Sequence, residues 1–190
     1  LIAIMRTAQS LILFSLLLLA NIAAGQDLST QNPYKVKAAF LRNFAHYVTW
    51  PYNAFPDDGS PWHIGVLGND PFGEVLDATF EGRAEQGRPF EIYRADRLDD
   101  LPPCQIIFVA YPDAAKRRAV LDRLKNKPVL TVGDAPEFLS EGGVIRFQVG
   151  ERVSMSVNLD QARAVLLTIQ TKMLEVSSGI LENGELRRVK

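Results

Sequence analysis

Apolar positions along this chain change their spacing several times, and each change predicts a different element. After Asn32-Pro33 they recur as Val36, Phe40, Leu41, Phe44, Tyr47 and Val48. That period predicts an amphipathic helix, capped by the asparagine, started by the proline and ending near Trp50-Pro51. Tyr52 to Pro61, with Asp57-Asp58-Gly59, reads as a surface loop. Trp62 to Leu67 predicts a strand, Asp70-Pro71 opens a second helix running towards Phe80, and Phe90 to Arg94 alternates as a half-buried strand does. Gln105 to Ala110 is apolar after its first residue, the pattern of a strand covered on both faces.

Asp113 to Lys125 predicts an amphipathic helix with Ala119, Val120 and Leu124 inward, and Pro128 to Val132 a buried strand. Asp134 to Glu137 has capping-box spacing for a short helix, which Gly142-Gly143 breaks. Val144 to Val149 and Arg152 to Val157 alternate on either side of Gly150-Glu151 and predict an antiparallel hairpin. Asn158 and Gln161 then have cap spacing for a last helix over Leu159 to about Val176, and Ser177 to Lys190 reads as a frayed polar end. Strands alternating with helices predict an α/β fold: a single-domain sandwich whose mostly parallel central sheet is flanked by helices and followed by a C-terminal antiparallel hairpin. The loops Gly68 to Asp70, Tyr111 to Asp113 and Gly133-Asp134 then share the edge where open sheets of this kind bind ligands.

One stretch falls outside this pattern. Met5-Arg6 precedes a run, Leu11 to Ala20, that Ser15 alone interrupts, and small residues follow to Gly25. This order predicts an export signal cleaved after Gly25; the competing reading, a permanent anchor, needs about 20 unbroken apolar residues. The predicted organisation is therefore a signal at 1–25, one domain at 26–180 and a polar tail at 181–190, in an exported protein.

Composition narrows the chemistry. Among 190 residues, 21 Lys plus Arg face 22 Asp plus Glu, which leaves no basic excess for nucleic acid. A single cysteine excludes an intrachain disulfide, and with two histidines it cannot make a Cys-rich zinc site. Cys104, just before a buried strand, reads as a small buried hydrophobe or as one half of an intermolecular disulfide. His46 and His63 lack a second ligand at helical spacing, and no nucleophile has an assignable base, so the expectation is a protein without catalytic residues, metal or cofactor.

Two helices carry the binding candidates. The first spreads its apolar residues over about 200° of its circumference, more than resting on one sheet face requires. The excess predicts a second contact, with a neighbouring helix or with another protein, and Phe40, Phe44 and Tyr47 are the candidate anchors. On the last helix, Arg163 and Gln170 fall seven residues apart between apolar strips. Arg163 there is either a snorkelling surface residue or an anion or partner contact. Asn69 and Asp70, at the end of the first long strand, complete the candidate ligand set, with capping as the competing role of Asp70.

The string Tyr34 to Pro51, YKVKAAFLRNFAHYVTWP, closely resembles the opening helix of the YfiR-like family of bacterial periplasmic proteins. The likeness continues through Gly65 to Gly73, Cys104 to Val109, Val129 to Pro136, Gly142-Gly143, the hairpin and Asn158 to Asp160. The resemblance implies a compact α/β domain that can dimerise and represses a membrane-bound diguanylate cyclase by binding its periplasmic portion, so lowering cyclic-di-GMP and restraining biofilm formation. It also implies an association of some members with small molecules. The disulfide control found in the best-known member does not carry over, because Cys104 stands alone. The expected partner is an inner-membrane diguanylate cyclase or another membrane sensor, and the rival expectation is a small-molecule module serving a different sensor or transporter.

Overall fold

The computed structural model describes residues 32–189; the predicted signal at 1–25 lies outside them. Helix α1 (Pro33–Tyr47) begins as its sequence predicts, with the Asn32 side chain accepting the Tyr34 N–H. It ends three residues short of Trp50, because Val48 and Thr49 turn extended as β1 (Val48–Thr49). There follow β2 (Trp62–Gly68), α2 (Glu74–Phe80), β3 (Ala84–Glu85), β4 (Arg88–Ala95), β5 (Ile106–Ala110), α3 (Ala114–Leu124), β6 (Leu130–Gly133), β7 (Ile145–Val149) and β8 (Val153–Asn158). The chain closes with α4 (Leu159–Ala164), β9 (Thr168–Ile169), α5 (Thr171–Glu175), β10 (Gly179–Glu182) and β11 (Glu185–Arg188).

Nine strands form one sheet in the order β11-β10-β8-β7-β6-β5-β2-β4-β3. Strands β4, β2, β5, β6 and β7 are mutually parallel, with Ile64 opposite Ile92 on one side and Ile106 on the other. The fold class expected from the alternation of strands and helices is the one found. Side-chain alternation along the central strands explains it. In β5, Ile106 and Phe108 join the core under α1 and α2, whereas Ile107 and Val109 join the core under α3. Successive residues face opposite sides of a strand, so an unbroken apolar run is buried only where both sides are covered.

Several expected boundaries move. The second helix begins at Glu74 rather than at Asp70, whose carboxylate instead accepts the Phe72 N–H and closes a turn. Asp134 to Glu137 forms turns and not a helix, because the Asp134 carboxylate is drawn away to Lys37. The hairpin of β7 and β8 is antiparallel as expected, but three residues, Gly150 to Arg152, connect the strands rather than Gly150-Glu151 alone, so Phe147 lies opposite Met155 and not Ser154.

The last helix is not continuous. It stops at Ala164 in a Schellman turn, with Leu167 N–H donating to Ala162 O and Leu166 N–H to Arg163 O, and Leu166 takes a left-handed φ of 61°. β9 then pairs with β1, Val48 opposite Ile169. Nor does the end of the chain fray. Residues Gly179 to Arg188 form a second antiparallel hairpin beside β8, closed by Asn183-Gly184 with positive φ at both, the two-residue turn that matches strand twist. Asp160 of α4 fastens that turn by accepting the Asn183 and Gly184 N–H groups.

Candidate functional site

From β2 the chain crosses to β4 on one side and returns as β5 on the other, so the order reverses between β2 and β5. An open α/β sheet leaves a crevice at such a point, outside the carboxyl ends of its strands. A cleft lies there, lined by Asn69, Tyr111 and Pro112, by Asp134 to Glu137, and by Tyr34 from α1. Gly68 makes the exit from β2 feasible: its φ is +98°, and an added Cβ would lie 2.8 Å from the Tyr111 ring. Across the edge Phe138, fully buried, fills the space over Gly133 and Gly143, where a Cβ would lie 2.5 and 2.2 Å from its ring.

The most unusual side chain at this edge is Lys37. It projects from α1 on the same stripe as Leu41 and Phe44 and is 2% exposed. Its Nζ donates to Asp134 Oδ2 at 2.7 Å and sits 4.3 Å from the centre of the Tyr34 ring. A buried ammonium is tolerated only where charge and hydrogen bonds compensate it. Burial, and then the Asp134 charge, raise the Tyr34 hydroxyl above its ordinary value of 10.0. Asp134 Oδ1, by contrast, is buried with no partner. A second cleft opens on the other side of the pair, between Lys37, Asp134 and Pro136 and the Arg146 to Val149 segment of β7. Arg146 donates through Nη1 to Pro136 O at 2.6 Å, while its Nε is buried without a partner.

Close by, a second buried ion pair is fully bonded. Arg117 donates to both Glu141 oxygens, at 2.8 and 2.9 Å, and to the carbonyls of Tyr111 and Pro112. The hydrogen-bonded Glu141 carboxylate raises the guanidinium above its ordinary range. This pair clamps α3 to the strand-end turns and leaves nothing to offer a ligand.

The residues expected to bind separate on the structure. On α1, Phe44 is 1% exposed and belongs to the core, stacked against Phe147, so it is not available to a partner. Phe40 and Tyr47 are half-buried, pack on the core by one side, and share a helical stripe with half-buried Val36. The excess apolar surface of α1 is thus divided: one part meets the sheet and the rest reaches the surface.

Arg163 and Gln170 do not share a helix face, because the turn at Leu166 comes between them. Arg163 Nη2 donates to Glu182 at 2.5 Å and braces the final hairpin. Gln170 donates to His46 O and, through its backbone, to Tyr47 O, tying β9 to the end of α1. Both are structural here. Asn69 lines the cleft, whereas Asp70 is taken up by the Phe72 N–H and by Arg94 Nε at 2.7 Å. His46 contacts Glu85 at 3.0 Å, and His63 contacts Pro103 O at 2.9 Å. Cys104 is buried at the opposite end of the strands, and burial pushes its thiol up to about 12. Among the described residues no three His, Cys, Asp or Glu side chains gather as metal ligands do, and no helix is long and apolar enough to cross a membrane.

Lys37, Asp134 and Arg146 are the residues that sequence reasoning missed as a group. The signal for Lys37 was its position, a cation four residues before Leu41 on the apolar stripe. Residues 34–178 match the family described as YfiR/HmsC-like. No curated protein matches the chain.

Proposed function

The chain belongs to the YfiR/HmsC-like family, a family of periplasmic repressors of diguanylate cyclase, and from that premise we propose that it is an exported, non-enzymatic repressor of a membrane-bound diguanylate cyclase. The observation that carries this reading is the extent of the family match, which runs from α1 into the last turn before β10. Repression works by association: the cyclase's inactive state binds this domain better than its active state does, and the difference in affinity sets the shift. Val36, Phe40 and Tyr47 supply the contact, since half-exposed aromatic and aliphatic groups on a rigid helix bury area at little entropic cost.

The test is cellular cyclic-di-GMP. Deleting the gene raises it, wild type restores the low level, and a Val36→Glu/Tyr47→Glu variant with an unchanged melting temperature fails to restore it. A deletion that leaves cyclic-di-GMP unaltered removes the cyclase from the account. The second reading, a small-molecule module, is favoured by the two clefts that flank Asp134.

A further inference from the structure

Polar groups without partners are not scattered through this fold. Three buried side-chain atoms among the described residues lack one: Trp50 Nε1, Asp134 Oδ1 and Arg146 Nε. The Trp50 ring meets that of Trp62 edge to face, 5.0 Å between centres, inside the core. The other two atoms belong to residues that line a single cleft, and the third charged residue there is Lys37. Leaving a buried donor or acceptor unmet costs the desolvation of that group with nothing to offset it. Two such atoms beside a buried ammonium are therefore a local sacrifice of stability, and breaches of this kind gathered in one cleft are the mark of a binding site.

We propose that this cleft binds a small organic oxyanion, carboxylate or phosphate, between Lys37 and Arg146. The charge balance sets the sign: two cations face one carboxylate along the lining. Lys37 also stands near the amino end of α1, the positive end of the helix dipole. Guanidinium and ammonium groups are the side chains best suited to oxyanions, the first through its planar fork and the second as a point charge. One hydrogen bond to Pro136 O tethers the Arg146 guanidinium; its Nε is buried, and the remaining Nη N–H groups, without partners among the described residues, are the donors left for an incoming acceptor. Asp134 Oδ1 has the complementary need, so the preferred ligand carries a hydroxyl or amino group beside its oxyanion. The Phe147 segment forms the opposite wall. The assignment is independent of the repressor reading, because it concerns only what this domain holds by itself.

Thermal denaturation and isothermal calorimetry of the purified protein test it, with inorganic phosphate and lactate as probes and sodium chloride at equal ionic strength as the control. At least one probe raises the melting temperature saturably above the chloride value, as ligand binding to the native state alone requires. Saturation by phosphate but not lactate identifies a phosphate site, and the converse a hydroxycarboxylate site. Arg146→Gln weakens the responding probe by about tenfold or more while melting as wild type does in chloride; should that variant not fold, Arg146→Lys, which keeps the charge and loses the fork, is read in its place. Backbone amide shifts of Asp134 and Phe147 locate the probe. Absence of a saturable response to either probe in wild type, or an equal response in the Arg146 variant, overturns the proposal.

Discussion

The two ends of the central strands are both enclosed, yet they treat polar groups in opposite ways. At the amino end, Gln105 is 4% exposed and completely used: its amide nitrogen donates to Ala54 O and its oxygen accepts the His63 N–H, each at 2.8 Å. Next to it the Cys104 thiol donates to Pro102 O at 3.2 Å. At the carboxyl end, Asp134 and Arg146 keep buried atoms without partners beside an enclosed ammonium. A cleft exists at each end, so the presence of a hollow does not distinguish them. What differs is whether the lining has anything left to bond. Among the described residues the one unmet group near the amino end is Trp50 Nε1, a neutral donor packed edge to face on Trp62 in the core, whereas the carboxyl end holds unmet atoms on two charged residues that line a cleft, at the edge where a sheet of this topology receives ligands.

The largest effect expected from this contrast lies at the satisfied pair on the carboxyl side. Arg117→Ala leaves the buried Glu141 with only the exposed Arg118 guanidinium, 3.9 Å away, as a counter-charge and lowers stability by about 3–5 kcal/mol in urea denaturation. The Arg117→Met/Glu141→Leu double variant loses far less, because neither charge remains. Gln105→Ala comes next, with a loss of about 2–3 kcal/mol, since it orphans the His63 N–H and the Ala54 carbonyl together. Replacing Lys37 and Asp134 jointly by Met and Leu is the counterpart at the unsatisfied end, and it costs under about 1 kcal/mol or stabilises. A loss there as great as that of Gln105→Ala would erase the contrast.

A smaller effect depends on pH. Burial raises the folded Cys104 thiol from its ordinary 9.0 to about 12. Its contribution is then complete below pH 9 and is lost as pH climbs towards 12, because the unfolded thiol ionises first. Between pH 8 and 10 the wild type loses about 1 kcal/mol more than Cys104→Ala does, measured by denaturation at both values. The smallest effect is at Leu166, 67% exposed with a left-handed φ of 61°. Leu166→Gly relieves the backbone and stabilises by about 0.5–1 kcal/mol; a loss instead would mean that the exposed leucine side chain makes a contact that outweighs its strained backbone.

How legible these features are in sequence follows from how local their causes are. The parallel strands announce themselves because two-sided burial writes an unbroken apolar run such as Ile106 to Val109. The break in the last helix does not, since Val165, Leu166, Ile169 and Met173 keep a helical rhythm across it and leucine stands where a glycine stop is usual. Asn183-Gly184 did carry a hairpin signal, but its flanks are too charged to show strand alternation, and β11 is exposed throughout. Lys37 could be read as misplaced on an apolar stripe. Its partner, 97 residues away, could not, because only the parallel register of β5 and β6 brings Asp134 to the first helix.

The central claim is that this domain acts by binding and holding down a membrane cyclase. Its most direct test is the GTP-to-cyclic-di-GMP activity of the partner cyclase reconstituted in liposomes, measured while the purified domain is titrated onto its periplasmic side. The account predicts a saturable fall in synthesis that Val36→Glu/Tyr47→Glu abolishes; a rate indifferent to the domain at every concentration would contradict it.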